Sequence, residues 1–394
     1  MLWAQESPDT SANFIQTVDM VSAIVEDETG QIIFSGKSGV VGTLSSSGTD
    51  MVARISRTDV KDDFLVIEKV ANGGVLLGSS KGDIYTYQKG SVKKVASLSE
   101  YSEPILDIDS HANLIWASGG RGLLATSTSG GRDWTAVEVG AVIQPELNLP
   151  SREPGVWYLG VSNIDPESVV FNARVNGRPA VIDEDFELDV DEGRLTVFNE
   201  LDPGAVSISF QFQPGPPYRG GDVTWSAVIA DAGIVTLVGE FGLILQSEDQ
   251  GKQWIRRDGV ITREEPAQPY WLCGASRNGR IILGGAAGKI HLSDDNGVTW
   301  ETLPIDSQEG VFGVDFIDDN TPIVAGAVGL LGIYRDGGWA MADRTALGLR
   351  SWGKNILHLH DEEWIVLGGR STALLFIDNN WKKLNVAVVV GDKP

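Results

Sequence analysis

Hydrophobic and polar positions alternate along this chain in short bursts, and no segment sustains the 3.6-residue period of a long helix. One pattern recurs instead: a β-rich run, a turn, an apolar run ending in Gly, a Gly-x-x-Gly or close variant, and a second apolar run. It reads IIFSGKSGVVGTL around Gly39, VLLGSSKGDIYTY around Gly82, and IWASGGRGLLATS around Gly122. Later copies are VTLVGEFGLILQS around Gly242, IILGGAAGKIHLS around Gly288, PIVAGAVGLLGIY around Gly329 and WIVLGGRSTALLF around Thr372. Successive anchors lie 43, 40, 120, 46, 41 and 43 residues apart. That period suits four-stranded propeller blades, and the interval of 120 is one repeat plus an insertion.

Each unit divides into four short strands. In the fifth they are Trp271 to Ala275, Arg280 to Gly284, Lys289 to Ser293 and Trp300 to Leu303, and the Gly pair falls where neighbouring strands approach closely. The expected fold is all-β, a seven-bladed β-propeller with a small β-sandwich inserted between blades 3 and 4. The expected divisions are an N-terminal arm (1–16), blades 1–3 (17–142), the insert (143–219), blades 4–7 (220–385) and a C-terminal closure strand and tail (386–394). Either Phe14 to Val18 or Leu384 to Val390 can supply an edge to close the ring, because an open propeller leaves an unpaired ladder. The final GDKP is expected to fray.

Before the fourth strand of three units the chain repeats one sentence. It is written Ser127-Thr-Ser129-Gly-Gly131-Arg-Asp-Trp134, Ser247-Glu-Asp249-Gln-Gly251-Lys-Gln-Trp254 and Ser293-Asp-Asp295-Asn-Gly297-Val-Thr-Trp300. A short polar side chain caps its own turn, Gly takes the positive φ, and Trp begins the returning strand. The weaker places are Ser45 to Asp50, Tyr87 to Val92, Tyr334 to Trp339 and Ile377 to Trp381. The pattern resembles the Asp-box of sialidases, BNR-repeat proteins and the photosystem II assembly-factor propellers. That resemblance implies a propeller whose box turns are structural and lie on the outer rim, away from any catalytic centre.

Pro-rich stretches flank the insert, which runs from Ile143 to Arg219. Within it Phe186, Leu188 and Val190 alternate with Glu187, Asp189 and Asp191, giving one apolar and one carboxylate face. Asn176-Gly177, Asp185-Phe186, Gly193-Arg-Leu195-Thr-Val197 and Asp202-Pro203-Gly204 leading into Val206-Ser-Ile208-Ser-Phe210 resemble a small module of phage tail and fibre proteins.

Composition narrows the function. Forty-seven glycines and twelve tryptophans fit many strands and tight turns, and a net charge of −23 lacks the basic footprint of a nucleic-acid or anionic-membrane binder. No run approaches about 18 apolar residues, so no membrane insertion is expected, and the first residues show no export signal. The lone Cys273 reads as a small buried hydrophobe.

Candidate chemistry is sparse. A sialidase needs three arginines, an acidic proton donor and a Tyr backed by Glu. Ala53-Arg54-Ile55-Ser56 lacks the Pro of that family's opening motif, and no Tyr has a recognisable partner sequence. Asp183, Glu184, Asp185, Glu187, Asp189, Asp191 and Glu192 could offer hard oxygen ligands to Ca²⁺, though their spacing fails the EF-hand loop. His358-Leu-His360-Asp361 sets two imidazoles on one side of a strand with no third ligand in view. Of the basic pairs Lys93-Lys94, Arg256-Arg257 and Lys382-Lys383, the second is the candidate partner patch. No phosphate-cradling loop is present, since Gly-x-x-Gly here joins strands and nowhere opens a helix.

The sequence therefore points to a non-enzyme without cofactor or metal. The leading expectation is a virion component of tail, baseplate or neck, made in the host cytoplasm and docked to other virion proteins, with symmetric self-assembly in the particle. The alternatives are an assembly-factor-like chaperone or a secreted glycan-binding protein. These would be secreted, periplasmic or in the thylakoid lumen after removal of a signal.

Overall fold

The computed structural model describes residues 17–26, 29–47, 50–70, 74–216, 223–265, 267–360 and 362–390. Among these residues lie seven antiparallel four-strand units, each made of consecutive strands. Their first strands are Ser22–Val25, Phe64–Lys69, Ile105–His111, Trp225–Asp231, Trp271–Arg277, Val311–Phe316 and Gly353–His360. Each first strand packs beside that of the next unit, and Ser22–Val25 meets Gly353–His360, so the units close into a ring. The protein is an all-β propeller, and buried side chains between adjacent blades form its core.

The Gly pattern has a steric cause. At Gly239 an added Cβ would stand 2.0 Å from the Thr224 carbonyl oxygen, so the second strand of blade 4 reaches the start of the first only without a side chain. Three residues on, Gly242 has φ +69 and turns the chain into the third strand. In blade 7 the residue in that turn is Ser371, with φ +58, one position before the Thr372 anchor expected from the sequence.

Closure differs from the expectation that a terminal strand must complete a blade. Blades 1 and 7 each build four strands from their own consecutive residues, and Val386–Val390 then adds a fifth, parallel to Asp50–Arg57 at the outer edge of blade 1. At the other end Met20 donates its backbone N–H to Gly368 and Val18 exchanges hydrogen bonds with Ser371, tying the entry of blade 1 to blade 7. Residues 1–16 and the GDKP tail lie outside the described residues.

The insert is joined to the ring more closely than an appended module. Its strand Val142–Asn148 pairs in parallel with Trp254–Arg256, the outer strand of blade 4, and then with Ser207–Phe212. One sheet thus runs from the channel of the propeller to the far side of the insert. A second layer, Gly155–Tyr158, Arg194–Val197 and Phe186–Asp189, covers it, and Phe186, Leu195, Val197, Ile208, Phe210 and Phe212 share one core with Trp116, Trp225, Leu245 and Trp254. The expected boundary at Ile143 falls inside a strand, and the other end, 217–222, lies outside the described residues.

Candidate interaction sites

The three Ser-x-x-x-Gly-x-x-Trp turns share one geometry. Ser247 Oγ accepts the Gly251 N–H at 2.8 Å and donates to Asp249, whose carboxylate accepts the N–H groups of Lys252 and Gln253 at 3.1 and 3.0 Å. Ser293, Asp295 and Gly297 repeat this, with Thr299 as the donor to Asp295. In the first copy Ser127 accepts from Gly131, while Ser129 takes the place of Asp and accepts from Asp133 at 2.7 Å. The turns are joints between blades. A Cβ on Gly251 would lie 3.0 Å from Trp116 of blade 3, and one on Gly297 would lie 2.3 Å from Gln246 of blade 4. Trp254 is fully buried, Trp134 and Trp300 are half-buried, and all three pack on apolar clusters. The capping bonds stay within each turn, and the glycines and tryptophans make its contacts with the neighbouring blade.

The inner strands bring ionisable groups together around the axis. Asp107 and Asp109 on blade 3 accept the Val228 and Ala230 N–H groups of blade 4 at 3.0 and 2.7 Å. Burial pushes Asp107 up to about 7 and Asp109 up to about 6, and it raises Glu68 of blade 2 and, to about 6, Asp315 of blade 6. Lys354 of blade 7 is held below its ordinary value by burial, partly offset by Asp107 and Cys273 across the ring. Burial pushes the Cys273 thiol up to about 12. The alternating Asp107-Ile108-Asp109 pattern carried this signal in the sequence, but it reads there as an ordinary half-exposed strand.

A concave surface lies where the insert meets blades 4 and 5. Two adjoining cavities of about 370 and 220 Å³ share Gly160, Phe241 and Gln268. The first is walled by Tyr158, Ser162 and Arg194 of the insert, and the second by Trp271, Lys289 and His291 of blade 5. Phe241 has φ +58. That conformation belongs to the turn, since Arg121, Ala287 and Val328 share it in other blades, so the aromatic side chain is particular to the blade beside the insert. His291 packs at a tilt against Trp271 with ring centroids 4.7 Å apart, and burial holds its imidazole below the ordinary value.

Several bonds fix the groove's walls. Tyr158 and Thr262 exchange backbone hydrogen bonds at 2.8 and 3.2 Å, stitching the insert to the connector between blades 4 and 5. Arg263 lies over the Trp157 ring at 4.3 Å. Arg256 is 3% exposed, paired with Asp258 at 3.2 Å, and it donates to the Leu159 carbonyl at 2.8 Å. Its neighbour Arg257 bonds Gln246 at 2.8 Å and pairs with Glu248. The pair expected to face a partner is thus a buried joint and a side chain held within its own blade. The clue was Asp258, two residues after Arg256.

The other candidates are dispersed. Arg54 is exposed on the outer strand of blade 1, and Lys93 and Lys382 are exposed on the outer strands of blades 2 and 7. Lys94 pairs with Asp83 and Lys383 bonds the Gly348 carbonyl. Of the acidic run, Asp185 is buried against Arg178, which holds its carboxyl below the usual range, and Asp189 binds Arg194 and the Asp191 and Glu192 N–H groups. His360 pairs with Glu363, His358 stacks on Trp364, and Asp361 lies outside the described residues. No group of three or more His, Cys, Asp or Glu among the described residues has the arrangement of a metal site.

No family model and no curated protein matches this chain. Solved structures do. "YCF48 bound to D1 peptide" is similar at a TM-score of 0.55 and 14% identity, covering 91% of this chain and 93% of that one. YCF48 from Cyanidioschyzon merolae is similar at 0.53 and 12%, over 94% and 96%. The WD40 β-propeller domain of Doa1 is similar at 0.55 and 9%, over 92% and 93%. At these identities the likeness establishes the propeller fold.

Proposed function

We propose that this protein is a non-catalytic docking component that holds a polypeptide segment of a partner in the groove between its insert and blades 4 and 5. The observation that carries this reading is the groove's construction. Insert and ring share one sheet and one core, so the backbone that frames the cavities at their junction is held in place before a partner arrives. The lining suits a peptide: Tyr158, Phe241 and Trp271 offer aromatic surface, while Ser162, Gln268 and Lys289 offer hydrogen bonds. The axial carboxylates Asp107 and Asp109 are used as acceptors for blade 4 backbone N–H groups, and the box and insert carboxylates are used in capped turns and ion pairs, which is why the reading is not enzymatic.

Two settings have separate support. The insert's resemblance to tail and fibre modules favours a structural protein of a phage particle, docked to its neighbours through propeller and insert. The likeness to a YCF48 structure with a bound D1 peptide favours an assembly factor that holds a client segment. Density-gradient fractionation of the native source, following peptides from ring and insert, decides between them. Particle-density recovery at a fixed ratio to capsid protein supports the first, and recovery with membranes supports the second. A Phe241→Asp variant should leave the heavy fraction in either case. Unchanged co-fractionation of that folded variant would contradict docking in the groove.

A further inference from the structure

A cavity of about 590 Å³ opens where blade 1 meets the turn of blade 7, and Lys37, Arg57 and Arg370 line it. Strand register explains how they meet. Arg57 stands opposite Val40 across the outer hairpin of blade 1, and Ile55, two residues earlier, shares their face. That face looks towards blade 7, since Val40 and Ile55 share a cluster with Leu367 and Ala373. Lys37 and Arg370 come from the turns between the second and third strands of blades 1 and 7. Val18, Val40 and Ile55 are buried and give the cavity an apolar floor.

The charge in this cavity is out of balance. At the corresponding turns of blades 2 and 3, Lys81 and Arg121 each have a carboxylate of their own, Asp62 at 3.1 Å and Glu103 at 3.4 Å. Here one carboxylate serves two turns: Asp19 pairs with Lys37 at 3.1 Å and accepts the Arg370 backbone N–H at 2.9 Å. Those bonds hold the two turns side by side. Among the described residues the guanidinium groups of Arg57 and Arg370 make no ion pair or hydrogen bond. Three cations against one carboxylate leave an excess of two positive charges, on a chain whose net charge is −23.

We propose that this cavity binds the phosphate group of a small phosphate monoester, whose organic body lies on the apolar floor. Such a group carries about −1.5 to −2 charges at pH 7, which matches the excess. Guanidinium groups meet phosphate oxygens with paired N–H donors, and two of them face this cavity unpaired. The volume falls within the range of about 300–1,000 Å³ usual for small-molecule sites. An acidic chain repels anions at long range, so the three cations must act together at short range. This site is independent of the groove between the insert and blades 4 and 5.

Phenyl phosphate is the probe, titrated into the full-length protein and followed by ligand-observed NMR. Saturable binding with a Kd on the order of 0.1–1 mM is expected for a ligand of this size. Arg57→Gln and Arg370→Gln should each weaken it about fivefold or more. Asp19→Asn keeps an acceptor for the Arg370 N–H but removes the competing charge, so binding should tighten about threefold. Arg54→Gln removes the same charge from the opposite face of the same strand and should change affinity less than about twofold. Equal losses from Arg54→Gln and Arg57→Gln would reduce the effect to general surface charge and overturn the proposal, as would no saturation by about 10 mM. Adenosine monophosphate and glycerol 3-phosphate then separate a nucleotide from a lipid headgroup as the source of the phosphate. Binding of either that is lost in Arg57→Gln supports the site, and binding of neither overturns it. Phe241→Asp should leave these readouts unchanged, so failure here and failure of the groove reading are separable.

Discussion

The Asp107 carboxylate of blade 3 accepts the Val228 backbone N–H of blade 4 at 3.0 Å, joining inner strands 121 residues apart in sequence. Asp109 and Ala230 repeat the bond one turn of the pleat further on, so the insert leaves and re-enters the ring without opening it.

Burial of these carboxylates sets a pH dependence that the Val228 and Ala230 N–H groups oppose. Burial raises Asp107 to about 7 and Asp109 to about 6, from 3.8 in the free carboxyl, and raises Glu68 in the same direction. Across that interval the folded state keeps protons that the unfolded chain has released, so this stabilisation is complete below about pH 4 and is lost as pH rises through about 7. Lys354, displaced downward, acts oppositely and only on the alkaline side of its own folded value. The melting temperature should therefore fall between pH 5 and pH 8. Asp107→Asn keeps an acceptor for Val228 and should flatten that fall by on the order of 2 kcal/mol. Parallel profiles for the two proteins would show that Asp107 does not hold its proton.

The turn glycines separate backbone strain from packing. Gly251 and Gly233 have φ +85 and +87, but only at Gly251 would a Cβ meet neighbours, Val137 at 2.8 Å and Trp116 at 3.0 Å. Both alanine variants incur the left-handed backbone cost, roughly 1 kcal/mol. Gly251→Ala should lose about 1–3 kcal/mol more, read by chemical denaturation. Equal losses would mean that the turn does not act as a blade joint.

Arg256 is the ionic joint of the insert. Removing the guanidinium strands the Asp258 carboxylate and leaves the Leu159 carbonyl without its donor, so Arg256→Met should cost about 3–5 kcal/mol. Arg257→Met, which loses an exposed pair with Glu248 and the bond to buried Gln246 but strands no buried charge, should cost less, about 1–2 kcal/mol. A reversed order would restore the outward-facing patch expected from sequence.

Ring closure by Val386–Val390 is additional to a complete four-stranded blade. Val388→Asp, opposite Ala53, should lower stability by about 1–3 kcal/mol while far-UV circular dichroism stays that of the folded ring. Collapse to an unfolded chain would show the fifth strand to be obligatory.

What the sequence discloses follows from distance along the chain. The blades are visible because each is local: hairpins, a Gly where Thr224 and Gly239 press together, and a Trp after each capped turn. The union of insert and ring is invisible because Val142 and Trp254 pair in parallel across 112 residues, and parallel pairing leaves no turn signal. The same holds for Val386 beside Met51. The Arg256-Arg257 pair shows the limit of reading charge as exposure, since one of two adjacent arginines points into a strand interface and its neighbour does not. The groove needs three separated stretches, around Gly160, Phe241 and Gln268, and no linear pattern announces that meeting.

The most direct test of docking in the groove is site-specific photo-crosslinking in the native source, with the reactive residue at Gln268 in the shared part of the groove and, as control, at the exposed Val298 turn of blade 5. The account predicts a defined partner adduct from Gln268, mapped to one polypeptide segment, and none from Val298. Adducts from Val298 alone, or from neither position under conditions where the protein remains in its native assembly, would contradict it.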